Sequence, residues 1–222
     1  MNTASGTIAE QVQAMGKGMA AQLPAEVLAA FGAEQAQLDA TGVPAGAAGA
    51  GTVMPDGDLL DAHGAATTLG KARNGKPAVV VFYRGAWCPF CDIALRTYQR
   101  DLVPELPGRG AEMIAVSPQA PDGSLSTQET KELTFTVLSD PGNQIAGQLG
   151  ILTGPTQKVK EAQAKLGLDL KAVNADGGYG LPMPTVVIVD ASGVIRWIDI
   201  HPNYSTRSEP GDILDALVST TG

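Results

Sequence analysis

The residues best suited to chemistry are Cys88 and Cys91, which flank a Pro-Phe pair and are the only cysteines among 222 residues. A disulfide between them closes a very small loop, so its structural benefit would be small. Such a Cys-x-x-Cys pair is instead typical of redox chemistry or metal binding. Structural zinc usually needs four ligands, and the two histidines, His63 and His201, lie far from the pair in sequence. A thiol redox site is the favoured interpretation. Copper held by both thiols and His201, or two unreactive buried cysteines, are the alternatives.

The sequence places the cysteine pair between a strand and a helix. The apolar, β-branched run from Ala78 to Tyr83 predicts a strand buried on both faces, and Pro89 suits the first turn of a helix. The free N–H groups and the positive dipole at a helix start favour a thiolate, and Arg84 would act in the same direction. Since the thiolate is the reactive form, we expect a lowered cysteine pKa at this site.

This position also suggests different tasks for the two thiols. Cys88 is expected at an exposed helix tip, where it would attack the substrate. Cys91 begins an apolar helix face and should be less exposed, so it would resolve a mixed disulfide or sulfenic acid on Cys88. Trp87, directly before Cys88, is interpreted as a lid over the sulfur, with plain packing as the alternative.

The elements around the motif alternate between strands and helices. We predict, in order, a hairpin around Gly64, the strand 78–83, a helix from Pro89, a strand 113–116, a helix 124–133, a strand 135–138, a short helix through 145–149, an insertion 154–180, a strand 186–189 paired with 194–200, and a helix 212–218. This alternation predicts an α/β fold with helices on both faces of the sheet. The final hairpin makes the sheet mixed rather than parallel.

The first 40 residues are predicted to form a helical extension. Thr7 and Glu10 have the spacing of a capping box at a helix start, and Pro24 begins a second helix. An Ala/Gly-rich linker, 41–51, separates this extension from the main domain, 52–222. Because the extension has an apolar face and no core of its own, we expect it to serve as a packing arm or to form a homodimer. A regulatory segment is the alternative.

Charge and hydropathy exclude some classes of partner. The chain has 15 basic and 23 acidic residues, a net charge of −8 and no basic cluster, so nucleic acid is not expected as a partner. No apolar run approaches the roughly 20 residues that span a bilayer. The N-terminus lacks the pattern of a secretory signal, and a cytoplasmic location is therefore expected.

The stretch 80–91, VVFYRGAWCPFC, resembles the active-site segment of the peroxiredoxin-like branch of the alkyl hydroperoxide reductase/thiol-specific antioxidant (AhpC/TSA) family. Later blocks of that family match 114–118, 137–140, 188–196 and 204–207, so the resemblance covers roughly residues 52–220. It implies a thioredoxin-like fold with an N-terminal helical extension. It also implies reduction of hydroperoxides without a bound cofactor or metal, with electrons from a thioredoxin- or glutaredoxin-type partner.

The motif departs from the ordinary family pattern, Pro-x-x-x-Thr-x-x-Cys. Aligning the family cysteine with Cys91 puts Arg84 at the proline and Cys88 at the threonine. The arginine that the family carries before its late strand is replaced by Pro184, which the resemblance implies is a cis-proline facing the dithiol. Arg84 or Arg207 would then have to supply the missing cation.

Three functional hypotheses follow from these residues. The first is a two-cysteine thiol peroxidase that forms a Cys88–Cys91 disulfide, with Cys88 favoured as the cysteine that meets the peroxide. The second is a thioredoxin-like thiol–disulfide oxidoreductase without strong peroxidase activity. Thioredoxins, however, carry a buried aspartate where this chain has Phe82. The third is a metal-binding or redox-sensing module that uses the same two sulfurs.

Overall fold

The computed structural model describes residues 6–121 and 132–220. The helices are α1 (Ile8–Gln22), α2 (Ala25–Thr41), α3 (Leu69–Arg73), α4 (Pro89–Asp101), α5 (Gln144–Gln148), α6 (Gln157–Lys165), α7 (Leu170–Val173) and α8 (Pro210–Thr220). The strands are β1 (Leu59–Asp61), β2 (Ala66–Thr67), β3 (Ala78–Phe82), β4 (Glu112–Ser117), β5 (Thr136–Ser139), β6 (Leu152–Thr153), β7 (Leu181–Pro182), β8 (Thr185–Val189) and β9 (Ile195–Ile200). In the described part of the chain, no helix has the length and apolar character needed to cross a membrane.

Seven of these strands form one mixed sheet in the order β2-β1-β5-β4-β3-β8-β9. Strand β3 lies in its centre, parallel to β4 and antiparallel to β8. All five side chains of β3 are buried, as its continuous apolar sequence predicts. The predicted α/β fold with a mixed sheet is confirmed. The helix predicted at 124–133 falls mostly on residues outside the described part, and the separate β6/β7 pair flanks the predicted insertion 154–180.

Helices cover both faces of the sheet because successive side chains of a strand point to opposite sides. Val79 and Val81 of β3 face one core, which also receives the apolar sides of α4 and α8. Val80 and Phe82 face a second core, against α5. Helix α4 inserts Cys91, together with buried leucine and tyrosine side chains, into the first core. The helix that carries the motif is therefore fixed to the centre of the sheet.

Helix α1 begins with the predicted capping box and packs on the main domain. Thr7 Oγ1 accepts the Glu10 N–H at 3.1 Å, and the Thr7 N–H donates to the Glu10 carboxylate at 2.9 Å. The next two N–H groups, of Ile8 and Ala9, both donate to the Glu209 carboxylate at 2.9 Å. Ile8 is 1% exposed and joins the core around α4.

Helix α2 packs against α6 of the same chain. The buried Glu34 carboxylate accepts the Thr156 N–H at 2.6 Å, and Asn203 donates to Asp39 at 2.9 Å. The argument for a homodimer assumed that the apolar face of the extension lacked a partner. Ile8 of α1 and Val27 of α2 are buried within one chain, so part of that face already has a partner.

Candidate active site

A tight loop joins β3 to α4 and carries the motif. Gly85 in this loop has φ +144°, a conformation that other residues rarely adopt. A Cβ at this position would also lie 2.9 Å from the amide oxygen of Gln119. That oxygen accepts the Ala86 N–H at 2.6 Å. Glycine is thus required for the close approach that holds the loop against the residues following β4.

Both cysteines are reduced and buried. Cys88 is the N-cap residue of α4 and is 1% exposed, while Cys91 is in the first turn and 0% exposed. The expectation that Cys88 forms an exposed tip is therefore wrong. Segments that are distant in sequence bury it, so the pattern around the motif does not predict its low exposure.

The Cys91 sulfur is surrounded by hydrogen-bond donors. Arg207 Nη2 lies 3.0 Å from Sγ and the backbone N–H of Arg84 lies 3.5 Å from it, while the Cys88 thiol provides a third donor. Burial by itself would raise the pKa of Cys91. Other effects outweigh burial and hold the pKa of Cys91 well below its ordinary value. They are the hydrogen bond from Cys88, the charge of Arg207, and the backbone hydrogen bond and charge of Arg84.

The same surroundings act in the opposite direction on Cys88. Burial raises the pKa of Cys88 well above its ordinary value, and donation to Cys91 raises it further, although the positive charges of Arg84 and Arg207 oppose both effects. These directions favour the thiolate on Cys91, whereas the sequence placed it on Cys88. Proximity to the helix start is outweighed at Cys88 because its sulfur is fully desolvated and acts as the donor of the pair.

Arg207 is held in place by the segment between β9 and α8. Its Nη1 donates to the carbonyl oxygens of Tyr204 and Thr206, each at 2.6 Å. Asp199 accepts hydrogen bonds from Ser208 Oγ at 2.7 Å and from His201 Nε2 at 3.0 Å, which lower its pKa. These bonds tie both ends of the segment together and orient the arginine toward Cys91.

The copper alternative requires His201 to lie beside both thiols, but its ring has other partners. Its two ring nitrogens contact Asp199 and Thr206. Within residues 6–121 and 132–220, no three His, Cys, Asp or Glu side chains cluster as metal ligands would.

Arg84 is buried between two aromatic rings. Its guanidinium carbon lies 3.9 Å from the centre of the Tyr204 ring and 5.1 Å from that of Trp87. Stacking of this kind orients a guanidinium and partly compensates its burial. The Tyr204 ring also lies 6.2 Å from the ring of Phe90, and burial raises the pKa of its hydroxyl. The sequence pattern singled out Arg84, Trp87 and Arg207, but it gave Tyr204 no role.

Pro184 differs from the expectation drawn from the family. The described residues contain no cis peptide bond, so the bond that precedes Pro184 is trans. The Pro184 carbonyl accepts the His201 N–H at 2.9 Å, and the Met183 N–H donates to Ile151 at 2.8 Å. The trans isomer is the common one before proline in folded proteins. Pro184 lines a small cleft together with Arg84 and Tyr204.

A cavity of about 520 Å³ reaches the motif from the side of the extension. Cys88 and Trp87 line it, together with residues of α1, α2 and the segment after α6, whereas Cys91 and Arg207 do not. Of the two cysteines, Cys88 is therefore the one that the cavity reaches. Trp87 occupies part of the cavity wall beside Cys88.

Comparison with known proteins identifies the family. The AhpC/TSA family model matches residues 50–198. The chain belongs to this family. Peroxiredoxin Q from chloroplasts of Triticum aestivum is 30% identical over 128 residues, which are 58% of each chain. A putative peroxiredoxin bcp of Haemophilus influenzae is 39% identical over 77 residues, 35% of this chain and 49% of that protein. The chain thus spans about half the length of these relatives of the AhpC/TSA family.

Solved structures support the same fold. Peroxidoxin BcpB of Mycobacterium tuberculosis aligns with 78% of this AhpC/TSA family member and 96% of its own chain, with a TM-score of 0.57 and 19% identity. Reduced Prx3 of Vibrio vulnificus, in complex with H2O2, aligns with 77% of this chain and 99% of its own, with a TM-score of 0.62 and 20% identity. The thioredoxin-like fold that the resemblance implied is confirmed.

Proposed function

We propose that this AhpC/TSA family member is a thiol-dependent peroxidase that reduces hydroperoxides through an intramolecular Cys88–Cys91 disulfide. The observation that supports it most is the set of three donors around the Cys91 sulfur: Arg207, the Arg84 N–H and the Cys88 thiol. A thiolate is the nucleophile that attacks peroxide oxygen. Because these donors stabilise a thiolate on Cys91, we assign the attack on the peroxide to Cys91 and not to Cys88.

In that step the Cys91 thiolate attacks the terminal oxygen of the hydroperoxide, and the O–O bond breaks. One oxygen remains on sulfur as a sulfenic acid, while the other leaves with the electron pair as alkoxide or hydroxide. Cys88, whose raised pKa keeps it protonated, donates its proton to this leaving oxygen. The guanidinium groups of Arg84 and Arg207 stabilise the negative charge as it develops.

The second step closes the disulfide. The thiolate left on Cys88 attacks the Cys91 sulfur, hydroxide leaves, and both sulfurs end oxidised by two electrons in total. A thioredoxin- or glutaredoxin-type dithiol would restore the reduced pair. We expect it to attack Cys88, because a thiol of low pKa leaves faster and Cys91 is then the leaving group. Neither step requires a metal or an organic cofactor.

Stopped-flow oxidation of the reduced protein by H2O2, followed by tryptophan fluorescence, tests this proposal. We expect second-order oxidation well above the rate of a free thiolate. Cys91→Ser should abolish it. Cys88→Ser should leave a slower reaction that ends in a sulfenic acid, detected by dimedone labelling and mass spectrometry, without a disulfide. If Cys88→Ser abolished oxidation and Cys91→Ser ended in a sulfenic acid, Cys88 would be the cysteine that attacks the peroxide.

A thiol–disulfide oxidoreductase without strong peroxidase activity is the second candidate. The observation that favours it is the placement of Cys88-x-x-Cys91 directly between a buried central strand and a helix. Oxidation by H2O2 no faster than that of a free thiolate, combined with rapid reduction of a protein disulfide, would establish this activity instead.

The compartment and assembly form part of the proposal. Both cysteines must return to the thiol form between cycles, and the cytoplasm keeps thiols reduced. A homodimer stays a prediction from the sequence alone, and sedimentation velocity on the reduced and oxidised protein tests it.

A further inference from the structure

The cavity beside Cys88 has the size and lining of a small-molecule site. Its volume of about 520 Å³ lies within the range of roughly 300–1,000 Å³ that such sites occupy, and they are mostly lined by apolar side chains. Here the apolar lining residues are Met19, Leu28, Phe31, Trp87, Phe90, Leu166 and Leu168. Three of these come from α1 and α2, which precede the segment matched by the family model. The extension therefore adds walls that the family core does not contain.

Two helix glycines keep part of this space open. Gly16 lies inside α1 and Gly32 inside α2, and both line the cavity. A glycine in a helix interior is destabilising by roughly 0.5–1 kcal/mol relative to alanine. A Cβ at either position would have nothing within 4 Å, so packing in the empty protein does not require glycine. The two glycines therefore leave room at the cavity that a larger side chain would take up.

The cavity wall also includes an exposed apolar side chain. Leu166, at the end of α6, is 47% exposed. It faces the same cavity as Leu28 and Phe31, which are partly buried. Leu166 therefore adds to the apolar lining of the cavity.

We propose that this cavity binds the organic part of a bulky apolar hydroperoxide and brings its peroxide group to the Cys88–Cys91 pair. The inference rests on the peroxidase function proposed above and assigns substrate selection to the N-terminal helices. One hydroperoxide and two thiols give one alcohol, one water and the disulfide. The peroxide end approaches past Cys88, which lines the cavity and donates to Cys91. Arg84, in the same wall, provides the positive charge.

Filling the cavity tests this inference. Gly16→Leu and Gly32→Leu start a side chain where a Cβ meets no atom within 4 Å. Gly18→Leu in α1 is the matched control, because Gly18 is equally open but does not line the cavity. Each full-length variant is assayed with cumene hydroperoxide and with H2O2. We expect the ratio of the two kcat/KM values to fall about tenfold in the filled variants, since even one methylene in a pocket is worth 10-fold or more. The control should keep the ratio of the unchanged protein.

Calorimetric titration with cumyl alcohol, the product of the cumene hydroperoxide reaction, gives a readout that needs no turnover. The reduced protein should bind it, and Gly32→Leu should not, although both unfold at similar temperatures. The inference would be overturned if the filled variants lost kcat/KM equally for both peroxides, or if they bound cumyl alcohol as well as the unchanged protein does. If the unchanged protein reduces neither peroxide, the peroxidase proposal fails. Calorimetry then separately decides whether the cavity binds an apolar molecule.

Discussion

At the scale of single residues, the neighbours of two sulfurs three positions apart shift their pKa values in opposite directions. Both thiols are fully desolvated, which raises a thiol pKa, but only Cys91 accepts hydrogen bonds from Arg207 and the Arg84 N–H. The sequence indicated the chemistry of the pair and named both arginines. It could not assign the thiolate, because Arg207 lies 116 positions from Cys91 and reaches it only through the packing of its loop.

Replacing Arg207 should remove the charge that stabilises the Cys91 thiolate. In Arg207→Met we expect the Cys91 pKa to rise toward the ordinary value, so the thiolate fraction falls at pH values below it. Each unit of rise lowers that fraction about tenfold when the pH is below both pKa values, and the difference disappears above both. Thiolate absorbance at 240 nm, titrated between pH 4 and 10, roughly the interval between ordinary carboxyl and tyrosine titration, measures the shift.

The matched control for this titration is Arg109→Met, which removes an arginine paired with Glu105 at the surface. Its titration should follow that of the unchanged protein. An Arg207→Met curve that coincides with both would show that the arginine contact does not determine the Cys91 pKa. The remaining donors, the Arg84 N–H and the Cys88 thiol, would then be responsible.

At the scale of elements, local pattern predicted most of what positions the site. The apolar run of β3 and the capping box of α1 involve neighbours in sequence, so their structures follow from the residues themselves. The β6/β7 pair on either side of the insertion has only two residues per strand, too few for a periodicity. The isomer at Pro184 depends on how the chain enters β8, which the family resemblance did not reveal.

The docking of α2 on α6 is expected to depend on one buried carboxylate. Glu34 is 5% exposed and accepts the N–H of Thr156, the N-cap residue of α6. Glu34→Ala leaves that N–H without this partner, and a buried unsatisfied group costs about 1–3 kcal/mol. We expect the urea midpoint of unfolding to fall accordingly. Glu26→Ala, on the same helix, removes only an exposed ion pair with Lys165 and should leave the midpoint in place. Equal shifts in both variants would contradict the assignment.

At the scale of the whole molecule, segments from both ends of the chain enclose the motif. The first turn of α1 bonds to Glu209, 201 positions after Ile8, and the cavity combines walls from α1, α2 and the segment after α6. The sequence predicted both N-terminal helices but not the surface that they cover. An amphipathic face shows that a helix packs, whereas the identity of its partner depends on contacts between distant residues.

The Glu209 contact predicts that a change near the C-terminus loosens the N-terminus. Its carboxylate accepts the first two N–H groups of α1, and loss of such a cap costs roughly 1 kcal/mol. In Glu209→Ala we expect faster amide hydrogen exchange throughout α1, while β3 in the central sheet exchanges as before. Asp215→Ala is the matched control, because Asp215 is exposed on the adjacent helix α8. If α1 exchanged equally slowly in all three proteins, its docking would depend on the burial of Ile8 and not on this carboxylate. Faster exchange limited to α1 would show that one distant side chain keeps this wall of the cavity in place.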